Sequence, residues 1–123
     1  MLGDRIARHQ SRVWLVNTGW SGGAYGTGSR MKIAFTRAMI SAALEGALDG
    51  TPYERDPAFG LEIPTTCPGV PSEVLNPRRA WTNPSDYDAQ ARKLAAMFVE
   101  NFKKFSGDVA GDVSAAGPRA AGA

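Results

Sequence analysis

Residues Asn17 to Arg30 read Asn-Thr-Gly-Trp-Ser-Gly-Gly-Ala-Tyr-Gly-Thr-Gly-Ser-Arg. The stretch combines closely spaced glycines, two aromatic residues and, at its end, a fixed positive charge. An apolar run precedes it and a helical pattern follows it. Strand-to-helix junctions of this kind bind nucleotides and other anions, because backbone N–H groups and the positive end of the helix dipole point outward there. Glycine also lets a ligand or another backbone approach closely. The order of residues excludes a phosphate loop of the Gly-x-x-x-x-Gly-Lys-Ser/Thr type, since Gly28 is followed by Ser29 and Arg30. It does not fit the dinucleotide pattern Gly-x-Gly-x-x-Gly either. On the glycines alone, a surface loop that packs under another part of a larger fold is the favoured reading.

Two other residue types could carry chemistry. His9 is the only histidine, and its setting in an amphipathic stretch predicts a helix-surface residue. Cys67 is the only cysteine, which excludes an internal disulfide and any multi-cysteine metal site. Nothing near it in sequence would stabilise a thiolate, so a packed, unreactive thiol is expected.

The elements that must position the loop follow from periodicity. Met1–Gln10 carries Leu2 and Ile6 on one helical face. Arg12–Asn17 is predicted to be a buried strand, because Val13, Trp14, Leu15 and Val16 form a short apolar run between turn formers. A helix is predicted from Ile33 to Leu48, with Ile40, Leu44 and Leu48 four apart and Gly50 as its terminating residue. Asp49–Pro52 reads as a turn. Phe59–Pro64 alternates as a short strand that Pro64 would end or hold at an edge. Prolines 64, 68, 71, 77 and 84 then give an ordered, extended connection whose Val70, Val74, Leu75 and Trp81 need covering.

The last helix has an N-cap in Asn83, proline at the first helical position in Pro84, and Asp86 and Asp88 at the positive end of the dipole. Tyr87, Ala91, Leu94, Ala95, Phe98, Phe102 and Phe105 fall at spacings of three and four, a stripe expected to be core. From Ser106 the chain is poor in residues that could be buried, so 106–123 is expected to be a disordered tail after a folded unit of residues 1–105.

Composition narrows the classes. A chain of 123 residues has room for one modest domain. Its net charge of +2 is small and its basic residues are dispersed, which argues against a nucleic-acid surface. No apolar run approaches the ~20 residues that span a bilayer, so no membrane partner is expected. The first ten residues lack the pattern of a secretion signal, and a cytoplasmic location is expected. Because Met1–Gln10 begins inside a helical pattern, the chain also reads as a piece of something longer.

Three segments, in order and at matching spacing, resemble the ATP-dependent phosphoenolpyruvate carboxykinases. They are Trp14-Leu15-Val16-Asn17-Thr18-Gly19-Trp20 continuing to Gly28-Ser29-Arg30-Met31, then Thr36-Arg37-Ala38, then Phe59-Gly60-Leu61-Glu62-Ile63-Pro64-Thr65-Thr66-Cys67-Pro68-Gly69-Val70-Pro71 with Leu75-Asn76-Pro77-Arg78. Phe98-Val99-Glu100-Asn101-Phe102 is similar too, so the resemblance runs from about Leu2 to Phe105. It implies an α/β (mixed α+β) unit, the C-terminal part of the family's nucleotide-binding domain and incomplete on its own.

The implied reaction converts oxaloacetate and ATP to phosphoenolpyruvate, carbon dioxide and ADP, a gluconeogenic step. Magnesium would accompany ATP, and manganese would serve the oxaloacetate side. The implied ATP-binding residues are Arg30, Met31 and Thr36. Arg30 would stack on or hydrogen-bond to the nucleotide, Met31 would form an apolar wall, and Thr36 would offer a hydroxyl. By themselves the same residues also fit a solvated loop charge, a core methionine and a helix cap.

The family's phosphate loop, paired-aspartate motif, metal-binding Lys, His and Asp, and oxaloacetate-binding arginines have no counterpart here. No catalytic or metal-ligating residue is therefore assigned to this chain, and the chain alone is expected to be inactive. The implied partners are ATP, oxaloacetate and the remainder of a carboxykinase chain. The alternative is a non-enzymatic module that keeps this piece of the fold to bind a nucleotide or a partner chain.

Overall fold

The computed structural model describes residues 2–119. Its elements are α1 (Leu2–His9), β1 (Trp20–Ser21), β2 (Ser29–Arg30), α2 (Ile33–Leu44), β3 (Tyr53–Arg55), β4 (Glu62–Pro64), α3 (Ser72–Leu75), α4 (Pro77–Ala80), α5 (Pro84–Phe102) and α6 (Gly111–Ala115). The mixed α+β character expected from the sequence is present. Among the described residues, the sheet content consists of two antiparallel pairs, β1 with β2 and β3 with β4.

The glycine-rich stretch folds as the β1–β2 hairpin, with Trp20 opposite Arg30 and Ser21 opposite Ser29. Lys32 then precedes α2 in an extended conformation. The helix ends at Leu44, earlier than the predicted Leu48. Gly46, at φ +74°, stops it, rather than Gly50. The Ala47 N–H donates to the Ala42 carbonyl at 3.0 Å. That six-to-one bond across a left-handed glycine is a Schellman ending. The apolar periodicity continued past Leu44 because Leu48 is still needed: it folds back through the turn and is buried.

The β3–β4 hairpin pairs Tyr53 with Pro64, Glu54 with Ile63 and Arg55 with Glu62. Pro64 closes the ladder, as the sequence predicts, and the predicted strand is trimmed to its last three residues. The sequence does not predict β3. Asp56 builds the connecting turn. Its Oδ1 accepts from the N–H groups of Ala58 (2.9 Å) and Phe59 (2.7 Å), and its own N–H donates to the Leu61 carbonyl at 2.8 Å.

The proline-rich connection is ordered, as expected, but not extended throughout: after an isolated bridge between Cys67 and Val70 it forms the two helical turns α3 and α4, the second begun by Pro77 at a helix start, where proline's missing N–H costs nothing. Helix α5 starts as predicted: the Asn83 side chain accepts from the Ser85 N–H at 3.0 Å, with Pro84 in the first turn.

Two expectations about burial are overturned. Residues 12–17 form no strand, and Val13 and Leu15 are exposed. A strand needs a neighbour for its N–H and C=O groups. Among the described residues, no backbone hydrogen bond joins 12–17 to another segment. Only Trp14 packs inward, and Arg12 pairs with Asp49. The aromatic stripe of α5 is likewise not core throughout. Ala91 and Ala95 are buried and Phe102 is half-buried, but Leu94, Phe98 and Phe105 are exposed. Phe98 is covered on one side, edge to face with Phe59 at 6.4 Å.

The core is accordingly small. Ala42, Leu48, Cys67 and Val70 form its centre, with Trp14, Phe35, Met39, Val74 and Leu75 packed around them. Cys67 is a buried free thiol, and burial pushes its pKa up. Polar contacts tie the elements together. Glu54 of β3 accepts from Asn76 Nδ2 at 2.6 Å and from Arg79 Nη2 at 2.9 Å. Arg78 makes a bidentate pair with Asp88, at 2.8 and 3.0 Å. The Tyr87 hydroxyl donates to Asp56 Oδ2 at 3.4 Å.

Of the stretch 106–123, read from sequence as a disordered tail, residues 120–123 lie outside the described residues. The rest contains α6, and the Arg119 N–H donates to the Ala58 carbonyl at 2.9 Å.

Candidate functional site at the glycine hairpin and the following helix

The hairpin hands the chain to α2 over very few residues. Arg30 is the last residue of β2, Met31 follows it, and Thr36 lies in the first turns of α2. The Met31 N–H donates to the Gly19 carbonyl at 3.0 Å, which extends the ladder one step beyond the Trp20–Arg30 pair. Arg30 is exposed, and among the described residues its guanidinium has no hydrogen bond or ion pair. Thr36 is half-buried. Its backbone N–H is used by the Lys32 carbonyl at 3.3 Å, while its hydroxyl has no partner among the described residues. Met31 is half-buried and lies outside the core cluster.

The junction therefore offers five guanidinium donors, a soft apolar side chain and a hydroxyl. The alternative roles separate here. Arg30 has the exposure of a solvated charge, Met31 is not a core residue, and Thr36 is not the helix cap, because Lys32 holds that position. Next to Arg30, directly across the ribbon, stands Trp20, whose ring meets Tyr25 edge to face at 5.1 Å. Opposed residues of an antiparallel pair project from the same face, so Trp20 and Arg30 share one. The aromatic is visible in the sequence, but this pairing depends on the hairpin's register.

A shallow groove of about 430 Å³ lies between the hairpin loop and α5. Ala24 and Thr27 of the loop, Trp81, and Asp86, Gln90 and Lys93 of α5 line it, and none of Arg30, Met31 or Thr36 does. A smaller groove of about 180 Å³ runs beside the β3–β4 turn, at Arg55, Asp56 and Arg119.

Among the described residues, no group of three or more His, Cys, Asp or Glu side chains is arranged to hold a metal ion. These residues do not fit a divalent-metal centre, and no chemical step is assigned to a metal on this chain. His9 lies exposed at the end of α1, away from the hairpin elements in sequence. Among the described residues, no helix is long and apolar enough to cross a membrane.

Comparison with known proteins decides the family. The profile of the family described as phosphoenolpyruvate carboxykinase matches residues 1–73, more than half of the chain. The chain belongs to the phosphoenolpyruvate carboxykinase family.

Relatives named phosphoenolpyruvate carboxykinase (ATP) extend the match beyond the profile. The Thermus thermophilus protein is 56% identical over 119 residues, which is 97% of this chain and 22% of that relative. A Moorella thermoacetica protein, phosphoenolpyruvate carboxykinase (ATP) 2, is 56% identical over 96% of this chain and 22% of its own length. The Alkaliphilus oremlandii protein is 54% identical, with coverage of 97% and 22%. The chain thus spans about a fifth of the length of these carboxykinases. The hairpin, α2, β3, β4 and the start of α3 all fall within the profile match.

Proposed function

We propose that this chain supplies the adenine-side wall of the ATP site in an ATP-dependent phosphoenolpyruvate carboxykinase. In that reading residues 1–105 are the C-terminal part of the nucleotide-binding domain and the rest is a tail. The domain is completed by the remainder of a carboxykinase chain, in the cytoplasm. The reaction removes carbon dioxide from oxaloacetate, leaving an enolate. The enolate oxygen takes the γ-phosphoryl group of ATP as the bond to ADP breaks. Magnesium and manganese, held by other parts of the enzyme, would supply charge stabilisation to that transfer.

This chain's own residues act on the nucleotide. Arg30 places its planar guanidinium against the base or on one of its acceptors, Met31 packs against the base, and Thr36 contributes a hydrogen bond. None of the three touches the bonds being made or broken. Their contribution is orientation, because phosphoryl transfer is governed by how the reacting groups are held. The observation that carries the reading is the junction itself. Arg30, Met31 and Thr36 follow one another from the end of β2 into the start of α2, with the guanidinium and the hydroxyl both uncommitted among the described residues.

A chimera tests it. The matching segment of the Thermus thermophilus relative, 56% identical here, is replaced by this chain, and steady-state kinetics are measured. Arg30→Ala is expected to raise the KM for ATP by about tenfold or more, the loss of one charge-assisted contact, with little change in the KM for oxaloacetate. An unchanged KM for ATP in an active chimera would refute the assignment. If ATP binds the 123-residue chain alone and no carboxykinase activity appears in the chimera, the non-enzymatic module is the better description.

A further inference from the structure

The hairpin that carries Arg30 is held by only two residue pairs, so its shape depends on how closely its limbs approach in the loop. Gly28 is the point of closest approach. A Cβ built there would lie 2.4 Å from the Gly23 carbonyl oxygen, 2.7 Å from the Ser21 carbonyl oxygen and 2.8 Å from the Gly23 nitrogen. All three are backbone atoms of the opposing limb, which cannot turn aside as a side chain would. The Gly28 N–H is itself fixed, donating to the Ala24 carbonyl at 2.8 Å. On the outer side the hairpin rests on α4, where a Cβ on Gly22 (φ +78°) would lie 2.9 Å from the Ala80 carbonyl oxygen. The limbs are therefore clamped from within at Gly28 and from outside at Gly22.

We infer that Gly28 is a positioning residue for Arg30: the bare backbone at 28 sets the separation of the two limbs, and so the place at which the guanidinium is presented. The inference rests on the reading of Arg30 as an ATP contact. A methyl group at 28 must push Ser21 and Gly23 away. With Ser29 and Arg30 immediately downstream and only two residue pairs to resist it, the displacement passes to the Trp20–Arg30 pair and to the bond between Met31 and Gly19.

The experiment uses the chimera in which this chain replaces the matching segment of the Thermus thermophilus relative. Amide hydrogen exchange is followed by mass spectrometry with residue-level fragmentation, and ATP binding is measured by titration calorimetry. Gly28→Ala is expected to speed exchange at the Met31 amide by about tenfold or more, a local opening, while amides of α5 keep their rates. Gly19→Ala is the control, because its Cβ would meet only Asn17 Oδ1, at 3.8 Å, and it should leave the Met31 rate unchanged. Gly28→Ala should also weaken ATP binding as much as Arg30→Ala does, and the double variant should be no weaker than either.

An unchanged Met31 rate in Gly28→Ala overturns the positioning role, and so does faster exchange spread over α5. Additive losses in the double variant overturn it as well. Faster Met31 exchange in Gly28→Ala together with no effect of Arg30→Ala on ATP instead defeats the nucleotide reading, so the two failures are distinguishable. If the Gly28→Ala chimera does not fold, Gly22→Ala, which presses on the same limb from Ala80, is read in its place, and an unchanged Met31 rate there overturns the positioning role.

Discussion

Burial, more than charge, sets the chemistry of Tyr87. Its hydroxyl sits against Asp56, and its pKa is pushed up to about 12, first by loss of solvent and then by the neighbouring carboxylate. The sign follows directly. The folded state prefers the protonated phenol, so the stabilisation is complete below the ordinary tyrosine value and drains away as pH rises through the folded value. Stability should therefore fall between about pH 10 and pH 12, and Tyr87→Phe should remove that part of the slope. Urea midpoints measured across that range, with absorbance at 295 nm to follow phenolate formation, check both statements. A wild-type tyrosine set that ionises entirely near pH 10 contradicts them.

At this same scale, Arg30, Met31 and Thr36 could be picked out from residue type and from the resemblance. Their surroundings could not. That Arg30 stands opposite Trp20, and that Gly28 admits no side chain, are consequences of register and close approach.

At the scale of elements, local signals succeeded where the residues that define an end also satisfy it. Asn83 is such a case. Its side chain takes up the Ser85 N–H, one of the donors that a helix start leaves free. Asn83→Ala should cost about 1 kcal/mol of stability, read as a lower denaturation midpoint, and Asn83→Asp should retain most of it. A loss well under half of that would mean that the Arg78–Asp88 pair and the Tyr87–Asp56 bond fix the start of α5 without the cap.

Periodicity misled at the end of α2, because Leu48 belongs to the core but reaches it through a turn. It also missed β3, three residues whose only strong signal is the partner they find in β4. The run 12–17 has strand composition and no strand partner among the described residues, so composition named a conformation that pairing did not complete.

For the whole molecule, apolar surface is left uncovered in several places. Leu15 is 79% exposed, Leu44 83%, Ile33 70% and Phe98 50%, and no large side chain is fully buried among the described residues. Patches of this kind drive association in water. The 123-residue chain alone should therefore self-associate and bind an apolar dye. Sedimentation velocity at two concentrations checks this; a monomer with a sharp, cooperative thermal transition would contradict it. It should also form no ADP from ATP in the presence of oxaloacetate, a coupled assay with the pure chain being the measurement.

The sequence by itself determined the helical and turn segments with internal signals, the glycine-rich junction, and the family, because capping, 3.6-residue spacing and motif order are local properties of the chain. Tertiary structure alone decided that the glycine stretch is a hairpin with Trp20 facing Arg30, that Glu54 joins β3 to α4 and the residue before it, and that much of the aromatic stripe faces outward. Those features depend on which distant segments meet. Burial and strand pairing are relations between segments, so an apolar run can name a surface that must be covered without naming what covers it.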